Sequence, residues 1–213
     1  MSIQEIIQQF IKDLNGTRWY EYVAVFSGII SVWYSSKENI LVYPIGLLST
    51  IIYVYLSIDG SLLGEASVNF YYTIMSIIGW YAWSKKDDGN KVVLKISSAT
   101  AKEWGVHLLF FLVIYVLIYF GLSTYKTYFY KDIKEGPIPW ADALASASAF
   151  TGMWLMTKKK VESWYWWILT NIVSIPLYFV KHYVFTSVYY VVLLAMAFYG
   201  LALWIKKEKE QIV

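Results

Sequence analysis

The chain has 213 residues, 58% of them hydrophobic and 20% aromatic against 15% charged, with a net charge of +3. That is too little charge to cover a soluble domain of this size, and the lack of cysteine excludes a disulfide framework, a thiol nucleophile and a thiolate metal site. His107 and His182, the two histidines, are too far apart in sequence to point to a metal centre, and short basic clusters between apolar runs read as membrane-loop charge, not as a nucleic-acid surface.

Residues 1–18 read as an amphipathic helix, with Ile3, Ile6, Ile7, Phe10, Ile11 and Leu14 at helical spacing. Glu5, Gln8, Gln9, Lys12 and Asp13 interrupt it, which is not the layout of a signal peptide. It is expected to lie in the membrane interface or on the bundle. Seven apolar spans follow. The first runs from about Tyr20 to Tyr34 and ends in the polar turn Ser35-Ser36-Lys37-Glu38-Asn39. The second, about Ile40 to Ile58, carries Pro44 and closes at Asp59-Gly60-Ser61. The third, about Ala66 to Trp83, places Asn69, Tyr72, Thr73 and Ser76 on one face at i, i+3, i+4 and i+7. Residues 85–102 are a polar connection in which Val92 to Ile96 reads as a short strand or an interfacial turn.

The fourth span, about Trp104 to Leu122, is apolar on every side, which suits lipid contact or a linking role; His107 near its start reads as interfacial. Residues 123–138 read as a loop with Lys126, Lys131, Lys134, Gly136 and Pro137. The fifth span, about Pro139 to Met156, is rich in Ala, Ser and Gly, which lets helices approach closely. Asp142 in its first turn suits the helix dipole, and Glu38 and Glu162, which begin helices after tight turns, read the same way. The sixth span, about Ser163 to Phe179, includes Pro176 as an expected kink. The seventh, about Val184 to Trp204, carries Ser187 and Tyr190 on one face, and His182 before it reads as solvated.

Within the sixth span, Trp164, Trp167 and Asn171 fall at i, i+3 and i+7 and share a face. Two indoles and an amide inside a membrane suit a flat ring with polar edges, the rings stacking on its face and the amide reading its edge. An interfacial aromatic belt is the alternative. Asn69 and Asn171 cannot ionise away, so each needs a partner, in the bundle or on a ligand. There is no nucleophile–base pair, no carboxylate pair, no phosphate loop and no metal-ligand cluster, so no enzyme chemistry and no cofactor are expected. No buried carboxylate chain argues for proton coupling.

Seven spans put six of the 18 basic residues on one side (Lys12, Arg18, Lys126, Lys131, Lys134 and Lys181) and the rest, among them Lys37, Lys91 and Lys158 to Lys160, on the other. The positive-inside rule then places the N-terminus outside and the C-terminus in the cytoplasm. The first three and last three spans also look alike: Gly28 and Gly152, and Glu38 and Glu162, match at a separation of 124. Two three-helix units joined by one linking helix run in the same direction, a transporter architecture with substrate between the halves.

Several motifs together resemble the PnuC family of vitamin transporters. They are Glu38-Asn39 with Tyr43-Pro44-Ile45-Gly46, Asn69-Phe70-Tyr71-Tyr72 with Ser76-Ile77-Ile78-Gly79-Trp80, Gly152-Met153-Trp154-Leu155-Met156, and Lys160-Val161-Glu162-Ser163-Trp164 with Trp167-Ile168 and Asn171. The resemblance covers about residues 20 to 205. It implies an all-α membrane protein of seven helices in a 3+1+3, SWEET-like arrangement. Its parts are an N-terminal helix (1–18), a first unit (19–84), loops and a linking helix (85–138), a second unit (139–205) and a cytoplasmic tail (206–213). It further implies a homotrimer in a bacterial inner membrane and uptake of nicotinamide riboside by facilitated diffusion, the substrate being trapped by phosphorylation in the cytoplasm. Thiamine is the second substrate expected, since relatives in the family carry thiamine or riboflavin. By the match, Trp164, Trp167, Asn171, Asn69 and Tyr72 contact the substrate, and Ser76 and Tyr190 share the same polar faces. A membrane binding protein that does not transport is the competing class.

Overall fold

The computed structural model describes residues 3–59, 63–90, 92–129 and 137–212. Among them the chain forms eight helices: α1 (Ile3–Gly16), α2 (Trp19–Ser36), α3 (Val42–Asp59), α4 (Leu63–Ser84), α5 (Ala101–Phe129), α6 (Pro139–Thr157), α7 (Ser163–Val180) and α8 (Val184–Ile212). Three of them, α3, α5 and α8, are long and apolar enough to cross a membrane on those two criteria alone. Of the other segments expected to span, α6 buries its Ala141, Ala143, Ala145, Ala147 and Ala149 against neighbours. The expected turn at Gly60 and Ser61, and Lys91, Lys131, Lys134 and Gly136, lie outside the described residues.

Helix ends depart from the hydropathy pattern at two places. α5 continues to Phe129, so residues 123–129 are helix and not loop, and α8 continues through the expected tail to Ile212. The segment after α4 is neither strand nor plain turn: Lys86 bridges Val92, and Ser97 bridges Lys160 in the α6–α7 turn. Ile96 is thereby buried, with Trp83, Met156 and Trp204, in the main apolar cluster.

The helices close a ring by successive packing: α2 on α3, α3 on α4, α4 on α6, α6 on α7, α7 on α8, and α8 back on α2. α5 packs outside on α6, and α1 rests on α8. The outward face of α5 exposes Leu109, Leu112, Leu117 and Phe120, as expected of a lipid-facing helix. His107 is a correction. It is 3% exposed, with its ring edge-on to Trp154 at 5.5 Å, so it belongs to the α5–α6 seam and not to an interface with headgroups.

Contacts within α2–α4 recur in α6–α8, with a register of 121 and not 124. Ser27 Oγ donates to Val23 O at 2.6 Å, and Ser148 Oγ to Leu144 O at 2.7 Å. Ser49 Oγ donates to Ala24 O, and Thr170 Oγ1 to Ala145 O. The Tyr43 ring meets Trp83 edge-on at 5.2 Å and 87°, and Trp164 meets Trp204 at 5.6 Å and 87°. Glu38 (φ 58°) and Lys159 (φ 52°) both hold left-handed backbone after a helix end. The pairs Gly28/Gly152 and Glu38/Glu162 are therefore coincidences of residue type, and Glu38 has Lys159 as its counterpart.

The expected dipole roles of the acidic groups also change. Glu38 pairs with Lys159 at 2.7 Å and Lys207 at 3.2 Å. Glu162 accepts the Ala99 N–H at 2.8 Å, tying the strap before α5 to the α6–α7 turn. Asp142 does sit at the start of α6, where it accepts the Ile138 N–H at 2.6 Å, and Lys181 after α7 reaches it at 2.7 Å. The two side chains are about four-fifths buried. Asp142→Ala removes both partners at once and is expected to cost about 1.5–3 kcal/mol, read as a lower unfolding midpoint in detergent, with Asp142→Asn recovering part of it.

Candidate functional site

The ring of helices brings together side chains from both units. Tyr72 in the middle of α4 faces Trp167 on α7, with ring centroids 6.1 Å apart and tilted by 52°. Both rings are only partly buried, so each has surface left to offer. Tyr72 also approaches Phe150 on α6, whose ring stacks on Tyr71 at 4.1 Å. The Tyr71 hydroxyl donates to Phe150 O at 3.0 Å, which pins that stack as a wall. Tyr72 lies near Tyr189 and Tyr190 of α8, and Tyr189 near Tyr53 of α3. Aromatic rings from five helices thus converge on one region.

Polar groups lie on the same helices as the rings. Asn171 is 3% exposed, Ser76 3% and Ser174 2%, so none points to the outer surface. Asn69 is half-buried, and its backbone carbonyl accepts the Thr73 hydroxyl, which also meets Thr50 Oγ1 at 3.0 Å. Tyr190 stacks on Tyr178 at 5.2 Å. Ser187 is committed to Ile175 O at 2.9 Å, the carbonyl just before Pro176.

Trp164 sits elsewhere. It is 1% exposed and belongs to the apolar cluster, its ring pressed between Gly200 and Trp204. Its six-membered ring packs against α8. Its Nε1 is buried without a hydrogen-bond partner, as is the hydroxyl of its counterpart Tyr43. The shared helical face therefore splits by depth: Trp164 is core near the α6–α7 turn, while Trp167 and Asn171 lie further in. Trp167 seats its ring over Gly152, whose missing Cβ leaves 3.3 Å to Cε2.

Sequence reasoning missed Phe150, Tyr189 and Tyr53. Phe150 had a signal, a single ring in a run of small residues from Ala141 to Gly152. The arrangement can hold a flat, partly charged heterocycle: aromatic faces supply stacking and cation–π attraction, and carboxamides supply directional bonds at its edge.

Residues 18–206 match the family model described as nicotinamide mononucleotide transporter. The chain is 23% identical over 213 residues to the nicotinamide riboside transporter PnuC of Escherichia coli (strain K12), covering 91% of this chain and 87% of that protein. It is 24% identical over 189 residues to the riboflavin/roseoflavin transporter RibM of Streptomyces davaonensis, covering 87% and 84%. Its fold is similar to that in the crystal structure of the vitamin B3 transporter PnuC, with a TM-score of 0.70 at 22% identity, covering 96% of this chain and 90% of that one. A match that spans nearly the whole ring of helices leaves one conclusion: the chain belongs to the nicotinamide mononucleotide transporter family, alongside the PnuC transporters.

Proposed function

We propose that this protein takes up nicotinamide riboside across a bacterial inner membrane by facilitated diffusion, exposing one site alternately to each side. In this reading α2–α4 and α6–α8 are two parallel three-helix units, α5 is the linking span and α1 lies on the surface. The recurrence of contacts at a register of 121 supports that 3+1+3 arrangement. The N-terminus lies outside and the turns with Lys37 and Lys158 to Lys160 lie in the cytoplasm, as the excess of basic residues there favours. The working form is a homotrimer.

The observation that carries the reading is the Tyr72–Trp167 pair, which draws one ring from each unit. A pyridinium ring enters by replacing their mutual contact and stacking on both. The buried amide of Asn171 and the half-buried Asn69 serve the carboxamide and ribose hydroxyls, with Ser76 and Tyr190 at the margin. Trp164 backs the site as packing and does not stack on the substrate.

The name of the relative RibM favours a second substrate, riboflavin, whose ring is also flat and edged with polar groups. Purified protein in liposomes, offered nicotinamide riboside, thiamine and riboflavin in turn, decides between them. Saturable uptake of nicotinamide riboside, competed poorly by the other two, is expected. Uptake of another vitamin instead replaces the substrate, and no saturable uptake of any ends the transport reading in favour of a binding protein.

A further inference from the structure

Among the described residues, the indole bonds and ion pairs between the two units gather at one end. At the end carrying the α2–α3 and α6–α7 turns, Trp83 Nε1 of the first unit donates to Met156 O of the second at 3.2 Å. Trp204 Nε1 of the second donates to Ser35 O of the first at 3.1 Å. These two bonds are counterparts in the 121 register. At the other end, among the described residues, the ion pairs stay within a unit, Arg18 with Asp59 and Lys181 with Asp142.

Two further contacts join a residue to its own counterpart. Ser35 Oγ meets Met156 Sδ at 3.1 Å, and Lys159 Nζ meets Glu38 Oε1 at 2.7 Å. In a two-fold arrangement only residues on the axis touch their own equivalents. The axis is also where a path between the units must run. α2 and α6 do not pack along their lengths, so side chains, and not backbone, fill the space between them here. We propose that Glu38, Lys159 and Lys207 form an ion lock across the substrate path at this end, one that must open each time the site faces that side.

Three observations mark this as a working contact. The Lys159 side chain is 4% exposed, and among the described residues its charge has Glu38 and the face of Trp83, at 4.7 Å, for compensation. Glu38 and Lys159 both hold positive φ, which glycine would adopt without strain, so their side chains are kept despite the backbone cost. Lys207, at the mouth, reaches both Glu38 Oε2 and Lys37 O, so the lock is reinforced from α8 on its wetter side. The cost of desolvating the two charges offsets much of their attraction, so the pair adds little net stability and can part where water reaches it.

The inference rests on the transport reading for its purpose, but its test does not need a substrate. The chain has no cysteine, so Ser35→Cys, one turn inside the lock and 4% exposed, is a unique reporter. In proteoliposomes, a charged, membrane-impermeant methanethiosulfonate is added from one side or the other. Modification of Ser35→Cys alone is expected to be slow. Adding Glu38→Gln is expected to speed it at least fivefold, from the lock's side only. Lys207→Gln, which leaves no buried charge unpaired, is expected to speed it about twofold and carries the test if Glu38→Gln does not fold. Unchanged rates in the folded variants, or equal acceleration from both sides, overturn the lock. If uptake assays fail for every vitamin while accessibility still changes as expected, the transport reading falls and the lock stands.

Discussion

Trp167→Ala is expected to weaken binding of the transported vitamin by about 30-fold or more, and Tyr72→Ala by about 10-fold. Losing one stacked ring forfeits about 0.5–1.5 kcal/mol beyond its buried area. Against a cationic pyridinium it also forfeits a cation–π attraction of about 0.5–2 kcal/mol. With every 1.4 kcal/mol worth a factor of ten in Kd, Trp167 alone accounts for roughly one to two decades. Trp167→Phe keeps a ring over Gly152 and is expected to lose only about threefold to fivefold. Isothermal titration of the purified protein reads these values directly. Trp164 supplies the contrast. Its ring is enclosed by Gly200 and Trp204, and its Nε1 has no partner to lose. Trp164→Phe should therefore leave affinity within about twofold while lowering the unfolding midpoint. If Trp164→Phe weakens binding as much as Trp167→Ala, the division between site and core is wrong.

Helical spacing located α1 and apolar run length located α2 to α8, although among the described residues α3, α5 and α8 alone meet the length and hydropathy of a membrane span. Run length placed the ends of α5 and α8 too early, because hydropathy marks where the membrane stops and not where the helix does. Ser123 to Phe129 and Lys206 to Ile212 keep helical backbone beyond that point. The burial of His107 was hidden for a related reason: a helix apolar on all sides has no moment to show which side faces α6. The internal register was misread by three residues because identical residues coincided at 124. The Gly-x-x-x-Trp spacing shared by Gly79–Trp83 and Gly200–Trp204, which also marks the repeat, stands at 121. The pair of Glu38 with Lys159 could not be read from residue types at all. It depends on two turns 121 residues apart meeting on an axis. Within the site, helical spacing put Trp164, Trp167 and Asn171 on one face, but spacing says nothing about which neighbour lies opposite. The small residue at Gly200 draws α8 against Trp164 and removes it from any cavity.

That close approach sets up the largest expected loss of stability, from Gly200→Ala. A Cβ built there would run into Trp164 Cη2, and one at Gly79 would run into Tyr43 Cε1. Neither obstacle can yield cheaply. Each ring is about 1% exposed and is held edge-on to a second indole, Trp204 or Trp83, whose own N–H is bonded across to the other unit. Relief requires moving a whole helix or expelling a large ring, so the overpacking cost should lie at or above the upper end of the usual range of about 1–3 kcal/mol. Gly105 and Gly121 on α5 have nothing within 4 Å of the same position. Alanine there should be neutral or stabilising by up to about 1 kcal/mol through helix propensity alone. Denaturation midpoints of the four variants in one detergent make the comparison. Because the neighbouring indole Trp204 carries a bond that joins the units, folded Gly200→Ala should expose a Ser35→Cys reporter faster than the parent does. Equal midpoints for Gly200→Ala and Gly105→Ala would show that α8 is free to back away, and that the tight seating of Trp164 is not what holds this end shut.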